Sequence, residues 1–300
     1  MDGKNFIAYL SLTASVMLWA GSFIAMRIAV AVIPPGLVVW LRMALTVVLL
    51  VPAYRLFIPR DYRIGDWKIL IPTVLLQPCL YFLFESRALM LTTASQAGVI
   101  SATVPVLVAL GALLFMGEPM ALRQWIGLIL SVAGVAGLTI AAVGTESEAA
   151  NPLLGNLLEF IAMLAGAGNM LLVKHLSGRY NTWTLTAYQT VAGFLFFLPA
   201  ARLLPAVPLE AWSGAVIVSL LFLGVFVTFG AFGLYNFGLS KVPAARASIF
   251  INLIPVITAF LGWLVLNESL SPLQMIFAGL VIIAVRIGTG GRRIVRPAAA

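Results

Sequence analysis

The sequence predicts an all-α polytopic membrane protein of ten transmembrane helices, arranged as two inverted five-helix repeats with both termini cytoplasmic. Three observations lead there. First, only 9% of the 300 residues are charged and 62% are hydrophobic, against roughly a quarter charged and about half apolar in soluble domains. Second, the apolar stretches are too long and too closely spaced for a core with a polar skin, so lipid must supply the missing solvent. Third, a block running from Ala88 through Thr103, Pro105, Gly117 and Glu118 to Gln124 returns as Gly238 through Leu253, Pro255, Asn267 and Glu268 to Gln274. Pro105/Pro255, Glu118/Glu268 and Gln124/Gln274 are all 150 residues apart, half of the chain.

Apolar runs delimited by charge, Pro or Gly give spans near 6–32, 37–57, 67–90, 95–116, 123–143, 153–176, 184–204, 211–240, 244–266 and 272–288. The first follows Met1, Asp2, Gly3 and Lys4 and resembles a signal peptide, with a small-residue pattern at Ala29 and Ala31. Its apolar run exceeds the usual h-region of about 7 to 15 residues, and roughly 20 such residues cross a bilayer, so it reads as a retained span. The third span carries Pro72 and Pro78, which have no counterpart at the repeat offset and read as local kinks. The eighth is long enough to tilt or to begin with an interfacial segment. The repeats occupy 1–143 and 152–288, joined by a short polar loop, and 289–300 is a basic tail expected to be disordered or to lie on anionic headgroups.

Charge sets the orientation. With a cytoplasmic N-terminus, 14 of the 18 Lys and Arg fall on or near that side, all except Arg27, Arg42, Arg87 and Arg202, and one opposite loop carries Glu146 and Glu148. The positive-inside rule then supports ten spans. A repeat of five spans must enter from the opposite side the second time, which makes the halves inverted.

Several function classes are excluded or weakened. The net charge of +8 does not indicate nucleic acid, because the basic residues lie between apolar spans and form no face with interleaved aromatics. The single cysteine, Cys79, rules out an internal disulfide or a cysteine-based metal site and reads as a small packing residue. One histidine, His175, makes His-rich metal or haem chemistry implausible. No G-x-x-x-x-G-K-[ST] loop is present for nucleotide-driven pumping. No Asp lies in any span, leaving Glu85 and Glu159 as the carboxylates available for a proton relay; downhill movement is therefore favoured over proton coupling. An intramembrane enzyme would need a nucleophile–base pair or metal cluster at depth, and neither is visible.

The segment Trp19 to Arg27 with its Trp-Ala-Gly-Ser-Phe start, together with Arg42, Ala88, Pro105, Gly117-Glu118, Pro255 and Asn267-Glu268, resembles the EamA family of the drug/metabolite transporter superfamily over essentially the whole chain. Within it, the chain looks most similar to YddG-type exporters of aromatic and other neutral amino acids. The resemblance implies two inverted five-helix repeats around a central cavity, with the fifth and tenth helices peripheral. Two positions depart from the repeat: Asn169 stands opposite Trp19, and Phe277 opposite Gly127, which puts close packing there in question.

On that frame, uncharged polar and aromatic residues at bilayer depth are the substrate-binding candidates: Trp19, Ser22, Gln77, Tyr81, Asn169, Tyr188, Gln189, Tyr235 and Asn252, with Asn236 beside them. They offer hydrogen bonds and apolar surface to an amphipathic solute, although any one of them can instead bond across helices. Pro105 and Pro255 each remove a backbone hydrogen bond and open the preceding turn, reading either as symmetry-related hinges or as static kinks. Arg42 and Glu85 are costly at membrane depth unless partnered; they are expected to form an ion pair, either a gate at the outer end or a fixed structural pair, with Arg42 alternatively meeting a substrate carboxylate. Glu118 and Glu268 read as structural carboxylates at the starts of the fifth and tenth helices. The expected protein is a secondary transporter or facilitator in the plasma (inner) membrane of a prokaryote, exporting neutral or aromatic amino acids by alternating access. It would have no cofactor and no metal, with a small-molecule substrate and the lipid bilayer as partners, as monomer or homodimer. The alternatives are a multidrug or cation exporter and a proton-coupled metabolite antiporter.

Overall fold

A computed structural model describes residues 3–58, 62–88, 90–91, 100–141, 151–266 and 271–289. Among them every regular element is helical. In chain order these are α1 (Gly3–Val30), α2 (Pro35–Leu50, continued by the 3-10 segment Val51–Phe57), α3 (Trp67–Ala88), α4 (Val104–Met116), α5 (Leu122–Ile140), α6 (Pro152–Leu176), α7 (Thr182–Phe197, continued by Leu198–Ala206), α8 (Gly214–Lys241), α9 (244–266) and α10 (Pro272–Thr289). Stretches of α1, α3, α6, α7 with its continuation, α8, α9 and α10 are long and apolar enough to cross a membrane, while α2, α4 and α5 contribute shorter apolar helices. Large apolar side chains point outward, as at Phe115 (83% exposed) and Leu153 (83% exposed). A water-facing surface with this much apolar area would be a liability; against lipid tails it is the expected skin of a multi-pass membrane protein.

Helix ends are set by short-range chemistry. Asn151, Asn181 and Ser213 accept backbone N–H groups at the starts of α6, α7 and α8. Gly117 closes α4 at φ +60°, the left-handed conformation that glycine adopts at least cost. The duplicated glutamines act alike: Gln124 Oε1 accepts the Ala121 N–H and Gln274 Oε1 accepts the Ser271 N–H, each at 2.8 Å. Both are capping-box bonds, so it is Gln124, not Glu118, that caps the start of α5. Glu118 instead reaches across the bundle and accepts the N–H of Ala244, the first residue of α9, at 2.8 Å. Glu268 lies outside the described residues, as do 290–300 of the basic tail and the loop with Glu146 and Glu148.

The two proline positions behave as a pair. Pro105 sits in the first turn of α4, after a turn at 102–103. Pro255 sits in the first turn of Leu253–Leu266, after the 3-10 turn Ile249–Asn252. In both copies the tight turn precedes the proline.

α5 and α10 pack antiparallel along a glycine seam. A Cβ on Gly127 would lie 2.4 Å from the Gly288 nitrogen, and one on Gly137 would lie 2.3 Å from the Phe277 ring. Phe277, the departure from the repeat that put close packing in question, therefore finds its space at Gly137, while Gly127 meets Gly288.

One end of the bundle is stitched by basic side chains. Lys174 Nζ donates to the Leu239 and Val242 carbonyls at 2.9 and 2.6 Å, closing the C-terminus of α8. Arg123 Nε donates to the Ile287 carbonyl at 2.9 Å, and an Arg246 terminal nitrogen donates to the Tyr9 hydroxyl at 3.3 Å. Asp66, at the start of α3, accepts from both terminal nitrogens of Arg179 (3.1 and 2.7 Å), from the Tyr180 hydroxyl (2.6 Å) and from the Arg63 N–H (2.9 Å).

Candidate functional site

The site begins with one broken helix and one widened helix. Pro78 has no N–H to give its helix, and Gln77 before it leaves helical geometry at φ −143°, ψ 125°, so α3 passes through a wide turn at Leu75–Leu80. A break at membrane depth must find partners for the carbonyls it frees. Asn169 Nδ2 donates to the Thr73 carbonyl at 2.7 Å, and Gln189 Nε2 donates to the Gln77 carbonyl at 3.2 Å. The same Gln189 nitrogen reaches Asn169 Oδ1 at 3.2 Å, while Gln189 Oε1 accepts from Asn236 Nδ2 at 3.2 Å. Asn236 also donates to Thr186 Oγ1 at 2.9 Å. The three buried amides thus form one chain across α6, α7 and α8 that holds the broken α3.

α8 is not broken, but its winding widens in the corresponding place. Its π-helical stretch, Phe222–Ala231, contains the positions that Leu75–Leu80 reach when shifted by the 150-residue repeat. No proline is involved. Here hydroxyls do the work: Thr228 donates to the Leu223 carbonyl at 2.8 Å, Thr46 to Gly224 at 2.5 Å and Ser15 to Ala231 at 2.7 Å. π-Helical turns recur at functional sites, and departures from α-helical winding stand here at matching positions of the two halves.

A cleft lies between the α3 break and the widened stretch of α8. It is lined by Met43 of α2, Gln77 and Pro78 of α3, Thr186, Gln189 and Thr190 of α7, and Thr228 and Phe232 of α8. Its cavity volume is only about 10 Å³, close to the minimum for a single water, so the cleft is narrow in this arrangement. Trp19 packs on Phe232 and Tyr235, with ring centroids 5.2 and 4.9 Å apart, and forms an aromatic layer behind one wall.

Of the candidates named from sequence, Gln77 and Gln189 line the cleft and Asn169 is bonded directly to Gln189. Trp19 and Tyr235 stand one layer back; the Tyr235 hydroxyl contacts Met170 Sδ at 3.7 Å. Ser22 turns its hydroxyl onto the Trp19 carbonyl of its own helix at 2.6 Å. Asn252 donates to Ser131 Oγ at 2.7 Å, tying α9 to α5 away from the cleft. Tyr188 is half-buried and is not among the lining residues. The expected ion pair of Arg42 with Glu85 is not made. Arg42 Nε donates to Thr228 Oγ1 at 2.7 Å and its guanidinium lies 5.3 Å from the Phe82 ring centre, whereas Glu85 accepts from Tyr81 one turn back at 2.8 Å. Each charge has a nearer partner on or beside its own helix, so the pair stays apart.

Met43, Thr186, Thr190, Thr228 and Phe232 were not singled out from sequence. Thr186, Gln189 and Thr190 did carry a signal: i, i+3, i+4 spacing puts three polar groups on one face of an apolar helix. The widened stretch of α8 had no proline to announce it.

The model of the EamA-like transporter family matches this chain twice, over residues 6–140 and 153–288. The chain belongs to that family. Among EamA relatives, the uncharacterized transporter YetK of Bacillus subtilis is 26% identical over 289 residues, covering 93% of this chain and 86% of YetK. An uncharacterized transporter of Archaeoglobus fulgidus is 27% identical over 269 residues, covering 88% of this chain and 91% of its own length. A solved crystal structure superposes with a TM-score of 0.77 at 18% identity, covering 94% of this chain and 96% of the other, which establishes a shared fold. This EamA protein is therefore a multi-pass membrane transporter. Among its described residues no group of three His, Cys, Asp or Glu is placed to hold a metal ion.

Proposed function

We propose that this EamA protein is a secondary transporter or facilitator that exports small amphipathic metabolites, neutral or aromatic amino acids foremost, across the inner membrane of a prokaryote. Ten spans in two inverted repeats, with both termini inside, rock about a midplane site so that the cleft opens alternately to either side. The single observation that carries this reading is the narrow, mixed polar and apolar cleft between the break of α3 and the π-helical stretch of α8. Its threonines and amides suit a polar head, and Met43, Phe232 and the Trp19 layer suit an apolar side chain. Arg42 stands directly behind the wall, bonded to the lining residue Thr228, where a substrate carboxylate arriving at Thr228 meets a cation. The basic stitching of one bundle end supports placing that end in the cytoplasm, with the Asp66–Arg179 clamp among the contacts that release when the site opens inward.

Counterflow in proteoliposomes tests the reading. Preloaded unlabelled phenylalanine is expected to drive uptake of labelled phenylalanine, and Arg42→Ala to weaken it at least tenfold while expression is retained. Counterflow of cationic dyes without phenylalanine exchange would instead support a multidrug exporter. If Arg42→Ala leaves both expression and transport unchanged, its gate and substrate roles both fail.

A further inference from the structure

We propose that Glu159 of α6 is a proton-binding site, occupied in this arrangement and emptied when α6 separates from α3 and α4; the assignment rests on the transporter reading above. Glu159 lies about two turns into α6 and is 2% exposed. Its Oε1 accepts one hydrogen bond, from Ser101 Oγ at 3.3 Å, and its Oε2 has no partner. An ionised carboxylate offers about four acceptor sites and at membrane depth demands a cation or several donors. Neither is present. A neutral carboxylic acid leaves one unpaired polar atom, a far smaller penalty than an unpaired charge.

The groups facing Glu159 reinforce this. From α3 come Tyr81 and Glu85; the Tyr81 hydroxyl is bound to Glu85, and the Glu85 carboxylate bears on Glu159 with like charge. Arg42 of α2 acts on Glu85 and Tyr81. The described part of α4 carries no titratable side chain. Lys68 of α3, Lys241 of α8 and Arg246 of α9 also stand on helices packed against α6, but at the stitched end, remote from Glu159, and Arg87 is exposed at the other end of α3. At the repeat offset the counterpart of Glu159 is Tyr9, whose hydroxyl is bonded to Arg246 and the Thr289 carbonyl, so one repeat alone carries the site. Separation of α6 from its neighbours admits water, the acid ionises, and its proton passes to that water. α6 also carries Asn169, the amide that holds Thr73 of the broken α3, so a movement that hydrates Glu159 also loads the cleft network.

The test uses the full protein in lipid nanodiscs and two readouts that need no substrate. In infrared titration, the wild type is expected to show a neutral carboxylic acid carbonyl band at about pH 7 that disappears in Glu159→Gln and survives in Glu85→Gln. In hydrogen exchange, protection of residues 152–162 is expected to fall from about pH 6 to about pH 9 in the wild type, after correction for intrinsic base catalysis, and to stay flat in Glu159→Gln. Absence of the neutral-acid band in the wild type, its loss in Glu85→Gln alone, or equal pH dependence of protection in wild type and Glu159→Gln would overturn the proposal. Phenylalanine counterflow without a pH gradient uses neither readout, so failure of the transport reading is seen separately.

Discussion

α3 and α8 depart from α-helical winding at equivalent points of the repeat, α3 by a break and α8 by a continuous π-helical stretch, and the two are held by different chemistry. In α3 a proline removes the donor, and the freed carbonyls are met by amides from two other helices that are also bonded to each other. In α8 no proline intervenes, and the carbonyls are met one at a time by hydroxyls, one of them from α8 itself. The architecture therefore places a departure from α-helical winding at this depth in both copies, while each copy solves the local hydrogen-bond problem with what its sequence provides. The α3 solution is collective and ties four helices together; the α8 solution is a set of separate pairs. A collective network has more to lose when one member is removed.

The largest effect should come from Gln189→Leu, which leaves the Gln77 carbonyl and Asn169 Oδ1 without this donor and takes from Asn236 Nδ2 one of its two acceptors, Thr186 Oγ1 remaining. At roughly 1–3 kcal/mol for each buried group left unpaired, a loss on the order of 3 kcal/mol or more should appear in thermal unfolding in detergent. Next is Gly193→Ala: the new Cβ would lie 2.6 Å from Pro78 Cγ and 3.3 Å from Met43 Sδ. Overpacking of this kind costs about 1–3 kcal/mol, and because both neighbours line the cleft, counterflow should fall along with the melting temperature. The corresponding change in the π-helical stretch of α8, Gly224→Ala, meets Leu45 Cβ at 2.9 Å and the Arg42 carbonyl oxygen at 3.1 Å, neither of which a rotamer change moves aside, and should cost a similar amount. Thr46→Val removes one hydroxyl pair at the π-helical stretch of α8 and should cost about 1 kcal/mol. Equal losses for Thr46→Val and Gln189→Leu would erase the distinction between network and pairs.

The smallest effect lies away from both of these stretches, at the clamp beneath α3. The hydrogen bond from Tyr180, with those from Arg63 and Arg179, holds the Asp66 carboxyl down from 3.8 to about 2. A depressed carboxylate contributes its stability above its unfolded value and loses it as pH falls through the folded one. The clamp's contribution should be full above about pH 4 and fade towards about pH 2, and Asp66→Asn should abolish that acid-limb dependence in unfolding experiments. Burial and the bond to Asp66 push the Tyr180 hydroxyl up from 10.0 to about 12, so its share persists to strongly alkaline pH.

Much of the fold was legible in the chain because it follows from one-dimensional signals. Runs of apolar residues place the helices, and the duplicated glutamines, found by spacing alone, cap α5 and α10 in the same way. The site was legible only in part. Gln77, Asn169 and Gln189 stand out as amides in apolar spans, but nothing local says that Asn252 pairs with Ser131 or that Arg42 prefers Thr228 to Glu85. Those preferences depend on which helix faces reach each other, and a periodicity that identifies a helix in lipid does not say which neighbour it meets, since every face is apolar.

What the sequence determined by itself was the solvent, the duplication and the kinds of residue available for a site, because composition, hydropathy and offset are properties of the chain. The tertiary structure decided that α8 widens opposite the break in α3, that Phe277 fills the space at Gly137, that Glu118 caps α9 and not α5, and that Glu159 is sealed with one bare oxygen. Each of these is a contact between residues far apart in the chain. Such contacts arise where backbone groups freed by a break, or cavities left by glycine, must be filled by whichever side chain the packing of other helices brings within reach.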